Sequence, residues 1–448
     1  EELHLEHNNM SGELPAALSN CTNLVTIDLQ ANQFSVELTK VNFVSLSNLK
    51  KLDLLSNNFT GTVPESIYSC SKLTALRLSY NPFHGQLSEE IGNLKSLSFL
   101  SLANNSLTNI TRTLQILRSS RSLTILYIGF NFLHETMPED VSIDGFQNLQ
   151  VLYINHCSLS GKIPDWLSKL PNLEMLFLPG NQLTGPIPDW ISSLNLLFHL
   201  DISNNSFTGE IPTALMEMPM LKSDKTAPKI FSELPLYFFS PFVEYLKPGA
   251  FPKVLNLGIN NFTGVIPEEI GQLQGLLLLN LSSNKLSGEI PHAVGECLHL
   301  ESLRLEVNFL HGSIPESFMS LRGINEMDLS QNNLSGEIPD FLGTFSSLQL
   351  LNLSFNSLEG IVPTGGAFIN SSKVFIQGNK DLCTRSAVPQ LPLCTSTRNK
   401  RRETLHIICI VFALASVVTV LVSVAATILL KKRNKSKHPR EMINKKTK

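Results

Sequence analysis

The sequence predicts an α/β solenoid, in which each turn lays one short strand into a parallel sheet and returns through a short helical segment. Three observations predict it. The pattern L-x-x-L-x-L-x-x-N-x-L-x-G-x-I-P recurs along the 448 residues, clearest in LNLSSNKLSGEIP (279–291), MDLSQNNLSGEIP (327–339) and LDISNNSFTGEIP (200–212). Its asparagine slots lie 24 to 26 residues apart, with a single step of 55, a spacing that belongs to stacked repeats. The second half of each unit reads I-P-x-x-L-x-x-L, as in IPEEIGQLQGL (266–276).

The slots are Asn8, Asn32, Asn57, Asn81, Asn105, Asn131, Cys157, Asn181, Asn205, Asn260, Asn284, Asn308, Asn332 and Asn356, about 14 repeats. The alternating L-x-L residues suit a strand with one face inward. The slot amide can bond the backbone of neighbouring coils out of reach of water, and Cys157 fits the same place as a small, weakly donating thiol. Glycine follows in 11 copies, where a tight turn with positive φ is expected. The I-P pair favours an extended segment before a short helical turn. No unit can bury its apolar face alone, so stability comes from stacking.

Composition narrows the class. Charged residues are 16% of the chain, with 35 Lys+Arg against 38 Asp+Glu and a net charge of −3. This excludes a disordered polyelectrolyte and gives no basic field for nucleic acid. Seven Cys in 448 residues exclude a disulfide-dense scaffold.

These repeats resemble the plant-type extracellular leucine-rich repeat proteins, over about residues 1–398. The resemblance implies a right-handed leucine-rich repeat superhelix with a parallel concave sheet, one that binds partners and does no chemistry. Repeats 1–9 occupy 1–221 and repeats 10–14 occupy 252–365, followed by a C-terminal cap over 366–398. Cys383 and Cys394 follow the last repeat, where an open solenoid end needs covering; a disulfide between them suits an oxidising compartment. Cys21, Cys70 and Cys297 share one repeat slot and are expected to be buried thiols.

Residues 407–430 carry no charge over 24 positions, long enough as a helix for a hydrocarbon core of about 30 Å. A transmembrane helix is expected over 405–430. The basic tail 431–448 holds nine Lys+Arg and one acid, which places it in the cytoplasm and the repeats outside, a single-pass type I plasma-membrane arrangement. Eighteen tail residues hold none of the motifs of a kinase. Eleven N-x-S/T sequons precede the span, at Asn9, Asn20, Asn58, Asn104, Asn109, Asn204, Asn261, Asn280, Asn333, Asn352 and Asn370; Asn280 and Asn352 fall between strand leucines. The chain opens inside a repeat, with no signal peptide and no cap, as a fragment or truncated product would.

The 55-residue step is one repeat plus 31 residues, and the register breaks over a 30-residue island insert, 222–251, rich in aromatics, Pro and Lys. With AFPKVLNLGINNFTGVIPEEIGQL (250–273) after it, the region 1–289 resembles the phytosulfokine-type receptor kinases for tyrosine-sulfated peptides, whose island helps hold the peptide. From His292 to about residue 437, VPTGGAFINSSKVFIQGNKDLC with LPLC (362–394) is similar to the subfamily of the rice bacterial-blight resistance receptor kinase. A natural fusion and a mis-joined gene both fit this change.

Candidate ligand-binding residues follow from the concave positions beside the insert. Tyr127, Phe130, Tyr153, His156, Phe177 and His199 form an aromatic stripe suited to peptide contact, and Lys222, Lys225 and Lys229 could attract a sulfate or carboxylate. His156 and His199 lack the neighbours of a metal site, so neither metal nor cofactor is expected, and no nucleophile motif points to an enzyme. The reading is a receptor-like protein, without its own kinase, that binds an extracellular peptide and signals through a co-receptor kinase. A wall-type inhibitor of pathogen polygalacturonase is the alternative, as is a truncated receptor kinase fragment or decoy.

Overall fold

The computed structural model describes residues 1–139, 143–225, 234, 236, 251–369, 372–385, 391–394 and 428. It divides into two compact units, Glu1–Leu382 and Cys383–Lys448.

The first unit is a solenoid of parallel strands and short helical turns. Its inner sheet has fifteen parallel strands in chain order: β1 (Glu2–His4), β2 (Thr26–Asp28), β3 (Lys51–Asp53), β4 (Ala75–Arg77), β5 (Phe99–Ser101), β6 (Ile125–Tyr127), β7 (Val151–Tyr153), β8 (Met175–Phe177), β9 (His199–Asp201), β10 (Val254–Asn256), β11 (Leu278–Asn280), β12 (Ser302–Arg304), β13 (Glu326–Asp328), β14 (Leu350–Asn352) and β15 (Val374–Phe375). From β2 on, the central residue of the three-residue strands points into the core: Ile27, Leu52, Leu76, Leu100, Leu126, Leu152 and Leu176 are all fully covered. Most coils return through one turn of 3-10 helix such as Glu268–Gln272. One coil instead holds an α-helix, α1 (Ile110–Leu117); the Glu135 carboxylate of the next coil accepts the backbone N–H groups of Asn109 at 2.6 Å and Ile110 at 2.7 Å.

The slot asparagines form a ladder. Asn32 Nδ2 donates to Leu5 O of the preceding coil at 2.8 Å, and its Oδ1 accepts the Met10 N–H at 3.0 Å. Asn57, Asn81 and Asn284 repeat the pattern. The ladder crosses the insert unbroken: Asn260 bonds Ile202 O and the Phe207 N–H, and β10 pairs with β9 in register, His199 to Val254 and Asp201 to Asn256. At Cys157 the thiol donates instead to Asn155 O at 3.2 Å.

The eleven glycines after the slots have φ between +79° and +101°. A second left-handed position went unread in the sequence. The residue just before every slot has φ between +50° and +68°, including Ile259 and Val307. The backbone must turn there for the slot amide to point inward.

Cys70 and Cys297 are buried, each thiol donating to a carbonyl 27 residues earlier. Cys21 is exposed, against the expectation of a buried thiol: it sits in the first coil of the described residues, where its side chain has none of the neighbouring-coil contacts that cover Cys70 and Cys297. In the second unit, Cys383 and Cys394 are joined by a disulfide. Among the described residues no helix is long and apolar enough to cross a membrane; the expected span 405–430 lies outside them, apart from Ile428, as does most of the insert.

Candidate functional site

The inner face carries three neighbouring rows of side chains, because each strand exposes the residues on either side of its core leucine. The third strand position forms one row. Register places Tyr127 beside Tyr153, Tyr153 beside Phe177, Phe177 beside Asp201 and Asp201 beside Asn256. Ring centroids are 5.1 Å apart for Tyr127 and Tyr153, and 4.9 Å for Tyr153 and Phe177. The left-handed position before the slot forms a second row, in which Phe130 and His156 stack in parallel at 4.6 Å. Gly180 follows His156 in that row. A Cβ there would stand 2.7 Å from the imidazole, so the glycine is what lets His156 lie flat.

His199 belongs to the first strand position, beside Met175 and Val254. Its ring still reaches Phe177 at 4.5 Å. The six predicted aromatics are therefore adjacent but not one stripe, and their exposure differs. His156 is exposed, Phe130 and Tyr153 are half-buried, and Tyr127, Phe177 and His199 are buried. Burial pulls the His199 imidazole down to about 3 and raises the Tyr127 and Tyr153 hydroxyls.

A cavity of about 300 Å³ opens on these rows, bounded by Arg77, Tyr127, Tyr153, His156, Phe177 and Asp201, among others. Two charged groups in its wall were not foreseen. Arg77 Nη1 bonds Asp53 Oδ2 at 3.0 Å, both side chains almost wholly covered, and its guanidinium lies 5.0 Å from the Phe99 ring centroid. Asp201, also buried, accepts the Ser203 hydroxyl at 2.7 Å and the Ser203 N–H at 3.0 Å. Burial raises the Asp201 pKa, with the bonds from Ser203 and Asn256 opposing. Reading the residue between the strand leucines down successive repeats would have exposed both.

The predicted lysines stand apart from this chemistry. Lys222 ends α2 (Pro219–Lys222) and pairs with Glu217 at 3.1 Å. Lys225 is exposed, and Lys229 lies outside the described residues. Lys253 was missed. Its ammonium donates to Met220 O at 2.8 Å and Ser223 O at 2.6 Å, fastening the start of the insert to the sheet. Of the sequons, Asn9, Asn20, Asn58, Asn104, Asn204 and Asn333 are exposed; Asn109, Asn261, Asn280 and Asn352 are half-buried, and Asn370 lies outside the described residues.

A stacked parallel sheet with a cavity on its inner face has the architecture of a recognition domain. Residues 3–224 match the family described as Leucine-rich repeat region, and 275–297, 323–345 and 347–367 match Leucine Rich Repeat. The chain is thus a leucine-rich repeat solenoid, and it resembles plant receptor ectodomains. It is 45% identical over 203 residues to Receptor-like protein 3 of Arabidopsis thaliana, covering 43% of this chain and 27% of that protein. It is 45% identical over 76 residues to Phytosulfokine receptor 1 of Arabidopsis thaliana, 17% of this chain and 7% of that one. Among solved structures, the plant peptide hormone receptor RGFR1 in complex with RGF2 superposes with a TM-score of 0.67 at 31% identity, over 86% of this chain and 55% of that chain. The Arabidopsis receptor kinase HAESA, in complex with the peptide hormone IDA and the co-receptor SERK1, gives 0.61 at 29% identity, over 86% and 66%. The chain therefore spans about a quarter of the first curated relative and about half of the first solved ectodomain.

Proposed function

We propose that this chain is a cell-surface receptor-like protein that binds an extracellular peptide across its inner face and signals through a partner kinase. The observation that carries the reading is the cavity walled by Tyr127, Tyr153, His156 and Phe177. Rings fixed on a rigid sheet bury large area at small entropic cost. The resemblance to ectodomains solved with peptide hormones, one of them with a co-receptor, supports both partners. Anchorage by the uncharged run 407–430, with the repeats outside and the basic tail in the cytoplasm, completes the proposal. A tyrosine-sulfated peptide is its narrower form, supported by the similarity to Phytosulfokine receptor 1 and by Lys222, Lys225 and Lys229 at the insert.

Titration calorimetry of the full chain against secreted plant peptides, each sulfated and unsulfated, tests it. At least one peptide should bind, and Tyr153→Ala with His156→Ala should weaken it at least tenfold. Binding that ignores both substitutions sinks the inner-face site; equal binding of the two forms removes the sulfated reading alone.

A further inference from the structure

The inner face is charged unevenly. In the third-position row and the inward-facing position two residues later, six carboxylates occur: Glu6, Asp28, Asp53, Asp201, Glu306 and Asp328. The same two rows hold two guanidinium groups, Arg77 and Arg304, and each already has an acid. Arg77 bonds Asp53 and Arg304 bonds Glu326. Asp201 has no ion-pair partner among the described residues. It lies 6% exposed in the wall of the cavity, bonded by the hydroxyl and N–H of Ser203. Neutral donors solvate a carboxylate but leave its charge in place, and a buried charge without a counter-ion is costly.

The rings beside it supply the complementary half of a site. Phe177 neighbours Asp201 in register, with the Tyr153 ring tilted against Phe177 and the exposed His156 beside them. Aromatic faces attract cations, most strongly where water is excluded. A planar guanidinium can lie on a ring and present a fork of donors to a carboxylate at once. Anionic groups have the wrong sign here, since Arg77 is engaged and the Asp201 charge is not.

Resting on the peptide-receptor reading above, we propose that this cavity is a subsite for a cationic side chain of the ligand, best an arginine, with Asp201 as counter-ion and Phe177 and Tyr153 as its aromatic floor.

The test displays random dodecapeptides against the full chain, beside calorimetry with N-acetyl-arginine amide and its neutral isostere N-acetyl-citrulline amide. Selected peptides should share an Arg or Lys at a fixed position, and that preference should vanish in Asp201→Asn. The arginine amide should bind at least tenfold better than the citrulline amide, and lose that margin in the variant. Asn already fills the same row at Asn256, Asn280 and Asn352, so the variant should fold; unchanged circular dichroism confirms it. Peptides selected without a basic residue overturn the subsite and leave the receptor reading standing. Selection of no peptide, with the arginine amide still bound through Asp201, keeps the subsite and sinks the peptide reading. Failure of both probes overturns both.

Discussion

Arg77 and Asp53 face each other across neighbouring strands, 3.0 Å apart, with 2% and 1% of their side chains exposed. Burial pushes the Asp53 carboxyl up to about 6, while Arg77 pulls against that rise. At neutral pH the carboxylate relies on its partner. Arg77→Met should therefore destabilise the solenoid by about 3–5 kcal/mol, whereas Arg77→Met with Asp53→Leu should restore much of the loss. Urea unfolding midpoints read both. A single variant no worse than the double means that the pair does not need its cation.

That pair also shows which parts of the structure a sequence discloses. The coil, its core leucines and the slot ladder were legible because they repeat: fourteen noisy copies average into one pattern. The site is legible only by position. Tyr127, Tyr153 and Phe177 were found because aromatics between strand leucines are conspicuous. Asp201 and Arg77 occupy the same row but resemble ordinary surface charges until the sheet brings their neighbours alongside. His199 was assigned to the same stripe because it also flanks a strand leucine; it lies two positions before the third-position row, on the same face but in another row.

The ladder makes a graded prediction. Asn284 accepts the Phe262 N–H at 3.0 Å and donates to Leu257 O at 3.1 Å, both belonging to the preceding coil. Asn284→Ala strips a buried donor and a buried acceptor of their partner, where water cannot substitute. The expected cost is about 1–3 kcal/mol for each group left bare, seen as a lower urea midpoint. An exposed asparagine such as Asn9 should change the midpoint by less than about 0.5 kcal/mol when replaced by Ala. Equal effects at the two positions contradict the ladder's energetic role.

Left-handed backbone at the residue before each slot gives a stabilising substitution. Val307 holds φ +58° and is 39% exposed. A β-branched side chain is disfavoured in that region, while asparagine tolerates it, and Asn104 and Asn204 already occupy equivalent positions with φ near +50°. Val307→Asn should raise stability by about 1 kcal/mol, with the gain visible in thermal melts. A loss would show that Val307 packs more favourably than its backbone angle costs.

His199 predicts how the fold responds to acid. Its ring is buried against Phe177, its Nδ1 lacks a partner among the described residues, and burial holds its pKa near 3, with a ring N–H donating to the Pro252 carbonyl opposing. The unfolded chain takes up a proton on this imidazole near pH 6.5, whereas the native state refuses it until far lower. The stabilisation is therefore complete above pH 6.5 and is lost as pH falls toward 3, at about 1.4 kcal/mol per pH unit. His199→Phe keeps an aromatic ring beside Phe177 and removes the titration. Between pH 6.5 and pH 4 the native chain should lose about 3 kcal/mol relative to the variant, read from urea midpoints at successive pH values. Parallel pH profiles for the two proteins would mean that the native imidazole is already charged at pH 4, and the cavity floor beside Phe177 would then be wet.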